Sequence, residues 1–267
     1  GDDSPYARTY EYSTLNNFSR DDIIEFYQAS VRPDRIILAI SGDFDPESMK
    51  RLIAETFGNW QVIDNVSDLP TAPSAEQAQA GVFLVDQPQL SQSYVQIGHI
   101  GGQRNASDYA EMAVMNEVLN GFGGRLFNEV RSRQGLAYVV YAFWAARYDY
   151  DGIFIGGGQT SSDTTVPFIE SVKKEIADIR QAPVSEEELS RAKDSVLNSF
   201  VFNFQNPEQT LSRLVRYEYY DYPEDFVFQF REDVANTTAA AVQQAAQTHL
   251  KPEDLIILVV GNEIEIQ

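Results

Sequence analysis

Apolar and polar positions alternate along this chain in blocks that switch period several times. Residues 19–31, SRDDIIEFYQASV, repeat apolar positions at helical spacing. Ser19 or Asn17 is placed to cap that helix, and Asp21 and Asp22 fall in the first turn, where the helix dipole favours acids. Pro33 ends it, and RIILAISG (35–42) is an apolar, β-branched run that predicts a buried strand. DPESMKRLIAETFG follows as a helix with Gly58 as its C-cap. Residues 64–80 then lose all period and carry two prolines, which predicts a linker. Beyond it the pattern predicts strands near 81–86 and 91–99, helices near 107–120 and 124–134, and a hairpin of strands 136–147 and 150–158. Helices near 163–181, 185–204, 207–221, 224–234 and 237–250 follow, and DLIILVVG (254–261) closes the chain as a strand.

The ending echoes the beginning. NTTAAAVQQAAQTHLKPEDLIILVVGNEIE repeats the layout of SRDDIIEFYQASVRPDRIILAISGDFDPE: a capped helix, Pro, Asp, then an apolar run closing on Gly and acids. We read these as equivalent pieces of two homologous α+β domains. Each is a mixed, mostly antiparallel sheet packed with helices, and the first is only its back half. The boundaries expected are 1–63 for that part, 64–80 for the linker and 81–267 for the second domain.

Composition sets limits on function. Apolar residues make up 43% of 267 positions, enough for real cores, and charges are mixed rather than blocked. Forty acidic residues against 20 basic ones leave a net charge of −20, which disfavours nucleic acid as a partner. No run of apolar residues is long enough to span a bilayer. The first ten residues, GDDSPYARTY, have no Met, no basic n-region and no apolar h-region, and read as entering in mid-theme. With no cysteine there are neither disulfides nor thiolate metal sites, and the compartment stays open between bacterial periplasm and cytoplasm.

Candidate chemistry is sparse. The two histidines, His99 and His249, stand far apart, with no H-x-x-E-H and no H-E-x-x-H, so no metal ligand is expected in this chain. No G-x-S-x-G is present, and the GGG at 156–158 lacks the rest of a phosphate loop, so it reads as room for close backbone packing. The segment 121–141, GFGGRLFNEVRSRQGLAYVVY, differs from the rest. Over 121–150, Arg125, Arg131, Arg133 and Arg147 face only Glu129 and Asp149, a balance of +2 in an acidic chain. Arg125, Glu129 and Arg133 have the spacing of i,i+4 pairs on a solvated face, with Leu126, Phe127 and Val130 turned to the core. Arg131 and Tyr138 straddle Gly135, so a guanidinium and a phenol on successive elements can converge on one ligand.

In order and context, GGRLFNEVRSRQGLAY resembles the second homologous domain of the pitrilysin/insulinase-type zinc peptidases, the inverzincins, which include the mitochondrial processing peptidases. SPYAR (4–8), the stretch 19–45, FGNW (57–60), SYVQIGHIGG (93–102), DYAEMAVMNEVLNGFGGRLF (108–127) and LIILVVGNEI (255–264) extend the resemblance along the chain. It implies a zinc-dependent endopeptidase whose H-x-x-E-H lies outside this chain, so that the chain alone is inactive and holds no cofactor. Arg131 and Tyr138 would then be catalytic, reaching toward the zinc site of another domain. Gly121, Gly123 and Gly124 would form a substrate-binding lip over an extended peptide. The implied partners are a peptide substrate and a zinc-bearing domain or subunit of the same family, as a homo- or heterodimer. Two other readings stay open: a non-catalytic scaffold subunit of the same fold, and a peptide-binding module.

Overall fold

The computed structural model describes residues 9–61 and 76–266; most of the expected linker, 64–80, and the SPYAR stretch lie outside the described residues. In chain order the elements are α1 (Tyr12–Asn16), α2 (Arg20–Ser30), α3 (Pro46–Phe57), β1 (Gly81–Asp86), β2 (Gln92–Ile100), α4 (Tyr109–Asn120), a π turn (Phe127–Arg133), β3 (Ala137–Ala145), β4 (Ile153–Ser161), α5 (Thr165–Gln181), α6 (Glu186–Phe200), α7 (Pro207–Tyr219), α8 (Phe226–Asn236), α9 (Ala239–His249) and β5 (Ile256–Gly261). Two compact units are present. One holds 9–61 with 203–222; the other holds 76–202 with 223–266.

The larger unit carries one five-stranded sheet in the order β1-β5-β2-β4-β3. β1 runs parallel to β5, and the other pairings are antiparallel, which gives the mixed, mostly antiparallel sheet of an α+β fold. Along β2 burial alternates strictly, with Val95 and Ile97 fully inside and Tyr94 exposed, the period-2 signature of a sheet covered on one face. The covered face packs against Met112, Met115 and Leu119 of α4 and Phe168, Val172 and Ile176 of α5. Each such side chain contributes about 1.5–3 kcal/mol on burial.

The GGG of β4 has the packing role the sequence suggested. A Cβ on Gly157 would meet Val95 O at 2.1 Å, and one on Gly158 would meet Val139 O at 2.3 Å. β4 therefore lies against both neighbours with no room for a side chain at these points. The outer edge of β3 is closed by two side chains one helical turn apart on α4. Asn116 donates to Trp144 O (3.1 Å) and accepts from Trp144 N (2.8 Å); Asn120 does the same at Ala142 (2.6 and 2.7 Å). Each carboxamide stands in for the next strand and blunts an edge that would otherwise pair with another chain.

In the smaller unit, Ser19 rather than Asn17 caps α2, through a capping box with Asp22. The echo between the two ends of the chain is visible in local structure. α2 leads to a 3₁₀ turn, Pro33–Arg35, and α9 leads to a 3₁₀ turn, Pro252–Asp254. The two copies diverge after these turns. After the second turn β5 forms, ladder-bonded on both sides. After the first, the expected buried strand does not form: 36–40 joins no ladder, and Ile36, Ile37, Leu38 and Ile40 are exposed. A strand is defined by its neighbours, and this run has none among the described residues. Only Tyr217 is buried among the described residues of this unit.

Candidate functional site

The segment after α4 departs from the helix expected at 124–134. It opens in α form at 125–126 and then widens into the π turn. Gln134 N donates to Glu129 O (3.1 Å), five residues back, and Leu136 N donates to Val130 O (3.0 Å). π turns are rare and are found frequently at functional sites. Leu126 and Val130 are fully buried, and Gln134 ties the turn to α5 through Ser171 Oγ (2.8 Å). This anchoring leaves Phe127 and Arg131 on the partly open side.

The strand that comes next is irregular too. Ala137 lies opposite Thr160 and Val139 opposite Gln159, so Tyr138 is an extra residue in β3, a bulge. Alternation breaks there: Tyr138 and Val139 both point outward, and Tyr138 is 78% exposed. The two irregularities bring the predicted pair together. The Arg131 guanidinium lies 4.5 Å from the centre of the Tyr138 ring and 4.8 Å from that of Phe127. Arg131 is held between two aromatic faces by cation–π contact, worth about 0.5–1 kcal/mol at an exposed site. Held this way, its planar guanidinium has less freedom to turn.

Phe127, expected in the core, is thus half-buried and forms part of the site. The expected run of i,i+4 pairs is also corrected. Arg133 bridges Glu129, but Arg125 reaches α6, with Nε 2.7 Å from Glu188 Oε1. Both side chains of that pair are half-buried.

Gly121, Gly123 and Gly124 form the loop before the turn. Gly123 has φ 77°, a left-handed conformation, and a Cβ on Gly124 would meet Leu119 O and Gly121 O at 2.8 Å each. The loop tip presents Phe122, 93% exposed, with its ring 6.3 Å from Phe127. Phe122, Phe127, Arg131 and Tyr138 therefore form one aromatic and cationic row. The sequence reading missed Phe122 and Phe127. An aromatic at a Gly-loop tip and one four residues before the arginine were the available signals.

The histidines do not fit a zinc site. His99 is buried and stacked on Phe154; its Nδ1 donates to Ile100 O (2.7 Å) and its Nε2 accepts from Lys251 N (3.1 Å), so both ring nitrogens are used. Burial lowers its pKa and keeps it neutral, against the upward pull of the Ile100 bond. His249 Nε2 lies 2.8 Å from Asp108 Oδ2 and packs on Trp144. Among the described residues no three His, Asp or Glu side chains converge on a metal position. Nor is any described helix long and apolar enough to cross a membrane.

Known proteins share this architecture. The chain is 22% identical over 201 residues to the uncharacterized zinc protease YmxG of Bacillus subtilis, covering 75% of this chain and 47% of the relative. It is 22% identical over 254 residues to the non-peptidase homolog YmxG of Helicobacter pylori, covering 94% and 57%. The chain spans about half the length of the curated relatives it matches. Its fold is that of the crystal structure of a peptidase M16 inactive domain from Pseudomonas fluorescens, with a TM-score of 0.84 at 20% identity, over 98% of this chain and 62% of that one. Residues 17–196 match the family described as the peptidase M16 inactive domain; the chain belongs to that family.

Proposed function

We propose that this chain is the zinc-free, peptide-facing part of a zinc-dependent endopeptidase. In this reading Arg131 and Tyr138 act on the scissile peptide, and Gly121, Gly123 and Gly124 form the lip beside it. The observation that carries the reading is the clamped row Phe127–Arg131–Tyr138, open to solvent and built on two backbone irregularities. Negative charge grows on the carbonyl oxygen as a peptide bond is attacked. A phenol O–H or a guanidinium N–H donating there stabilises the transition state more than the ground state. The zinc site belongs to a domain or subunit outside this chain, and the substrate is a peptide.

The test uses the complete enzyme, or this chain reconstituted with its zinc-bearing partner. Tyr138→Phe is expected to lower kcat about ten- to a thousandfold with little change in KM, because a lost oxyanion donor costs up to about 4 kcal/mol. Arg131→Ala should damage both. Tyr138 is exposed, so its loss should leave the melting curve unmoved. If both variants keep kcat/KM within about twofold of the parent, a difference too small for a lost donor, the pair is structural. The second reading, a non-catalytic scaffold, then takes its place. That reading draws on the Helicobacter pylori relative, which carries the name of a non-peptidase homolog.

A further inference from the structure

The end of α5, the start of α6 and the π turn enclose a cleft of about 610 Å³. Its walls carry five carboxylates, on Glu129, Glu175, Asp178, Glu187 and Glu188, against two guanidiniums, on Arg125 and Arg191. Four of the five acids have a cation of their own. Glu188 holds Arg125 at 2.7 Å, Glu129 holds Arg133, Asp178 holds Lys174, and Glu187 lies 3.9 Å from Arg191.

Glu175 is different. It is only 7% exposed, it lines the cleft, and no hydrogen-bond donor reaches its carboxylate among the described residues. Burial raises its pKa; Lys174 and Arg125 pull it down less than burial lifts it, and Asp178 and Glu188 add to the lift. A carboxylate so placed is costly unless something pairs with it. Among the described residues Lys174 and Arg125 act on it only through space, with no hydrogen bond, and the group lines the cleft.

We propose that this cleft binds an organic cation, an ammonium or guanidinium group that donates its N–H groups to the Glu175 carboxylate. An anion is disfavoured, because Arg125 is already committed to Glu188 and the lining is net acidic. The volume lies within the usual range for small-ligand sites, about 300–1,000 Å³, and accepts a whole basic side chain or a short polyamine. The same chemistry is offered by a free amine and by a Lys or Arg side chain of a peptide.

Calorimetry on the full 267-residue chain tests this with agmatine, spermidine, a short Arg-containing peptide and its citrulline counterpart. The expected result is saturable one-to-one binding of at least one cationic probe and none of the citrulline peptide. Glu175→Gln, which keeps the shape of the side chain, should weaken binding about tenfold or more, the loss of one charge-assisted contact. Agmatine or spermidine binding without the peptide marks a small-molecule site; peptide binding without them marks a side-chain site; either supports the proposal. Carbon-13 NMR of the Glu175 carboxyl reads the same event in the unsubstituted chain, where its titration should move to lower pH when the probe binds. The proposal is overturned if no cationic probe saturates by about 10 mM, weaker than about 3 kcal/mol of binding, or if citrulline binds equally. Binding to Glu175→Gln within about twofold of the parent, a change too small for a charge-assisted contact, overturns it as well.

Discussion

Glu188 should dominate the acid stability of the larger unit. It is the third residue of α6, where its carboxylate accepts Ser185 N (2.9 Å) and Ser185 Oγ (2.9 Å) and is gripped by Arg125 at 2.7 and 3.2 Å. The two side chains are 18% and 21% exposed, so solvent screens the pair only in part. Burial pushes the Glu188 carboxyl up, but the Arg125 and Ser185 bonds outweigh it and hold the pKa at about 2, below its ordinary 4.5. A folded pKa below the unfolded one contributes stability above the unfolded value, and that stability is lost as pH falls from about 4.5 toward 2. The shift is worth about 3 kcal/mol at neutral pH. Glu188→Gln removes it and leaves Arg125 half-buried and unpaired, so about 2–4 kcal/mol is expected. For a unit of this size that lowers Tm by about 4–16 °C. Melts of parent and variant at pH 7 and at about pH 2.5 read the effect, and the two curves should approach each other in acid. Lys174→Ala, which breaks an exposed i,i+4 pair, is the control and should barely move Tm. A Glu188→Gln Tm within about 2 °C of the parent at pH 7, or a gap unchanged in acid, would refute the reasoning.

Other expectations concern the same unit. Glu175→Gln should stabilise the chain at neutral pH: its folded pKa is raised, so the parent loses stability as pH rises through that value, and the difference should vanish near pH 4. Urea melts across pH measure it. Gly157→Ala should prevent folding or cost more than about 3 kcal/mol, because the new Cβ would lie 2.1 Å from Val95 O; urea unfolding or loss of soluble protein reports it. Asn120→Leu leaves the Ala142 N–H and C=O without partners and should cost about 1–3 kcal/mol. Faster hydrogen exchange at the Ala142 amide would show the strand edge opening.

Two near-identical apolar runs show what a sequence can and cannot tell. RIILAISG and LIILVVG carry the same β-branched signal after the same helix, Pro and 3₁₀ turn. Only the second becomes a strand, because β1 and β2 flank it. Periodicity reports a residue's willingness to be extended; pairing depends on distant segments. Helices are local, and most were legible to within a few residues: the one expected near 163–181 is α5, Thr165–Gln181. The closing of the β3 edge by Asn116 and Asn120 was not legible, since two carboxamides on a helix signal nothing until the strand beside them is known.

The same distinction governs the site. Arg131 and Tyr138 stood out by type and by resemblance, but regular elements would not have joined them. A fifth residue in the turn rotates the downstream residues by about 100° relative to an α-helix, and an extra residue in a strand turns its successors to the other face. Here both irregularities occur, one on each side of Gly135, and Arg131 meets Tyr138 with Phe127 beneath it. Each disrupts backbone hydrogen bonding that a regular element would complete, and such features persist where the surroundings over-determine them. The surroundings here are the buried Leu126 and Val130 and the Gln134 tie to Ser171, which fix the turn from its inner side. A fixed inner side carrying a partly exposed guanidinium against an exposed phenol is the arrangement expected of groups that meet something from outside the chain.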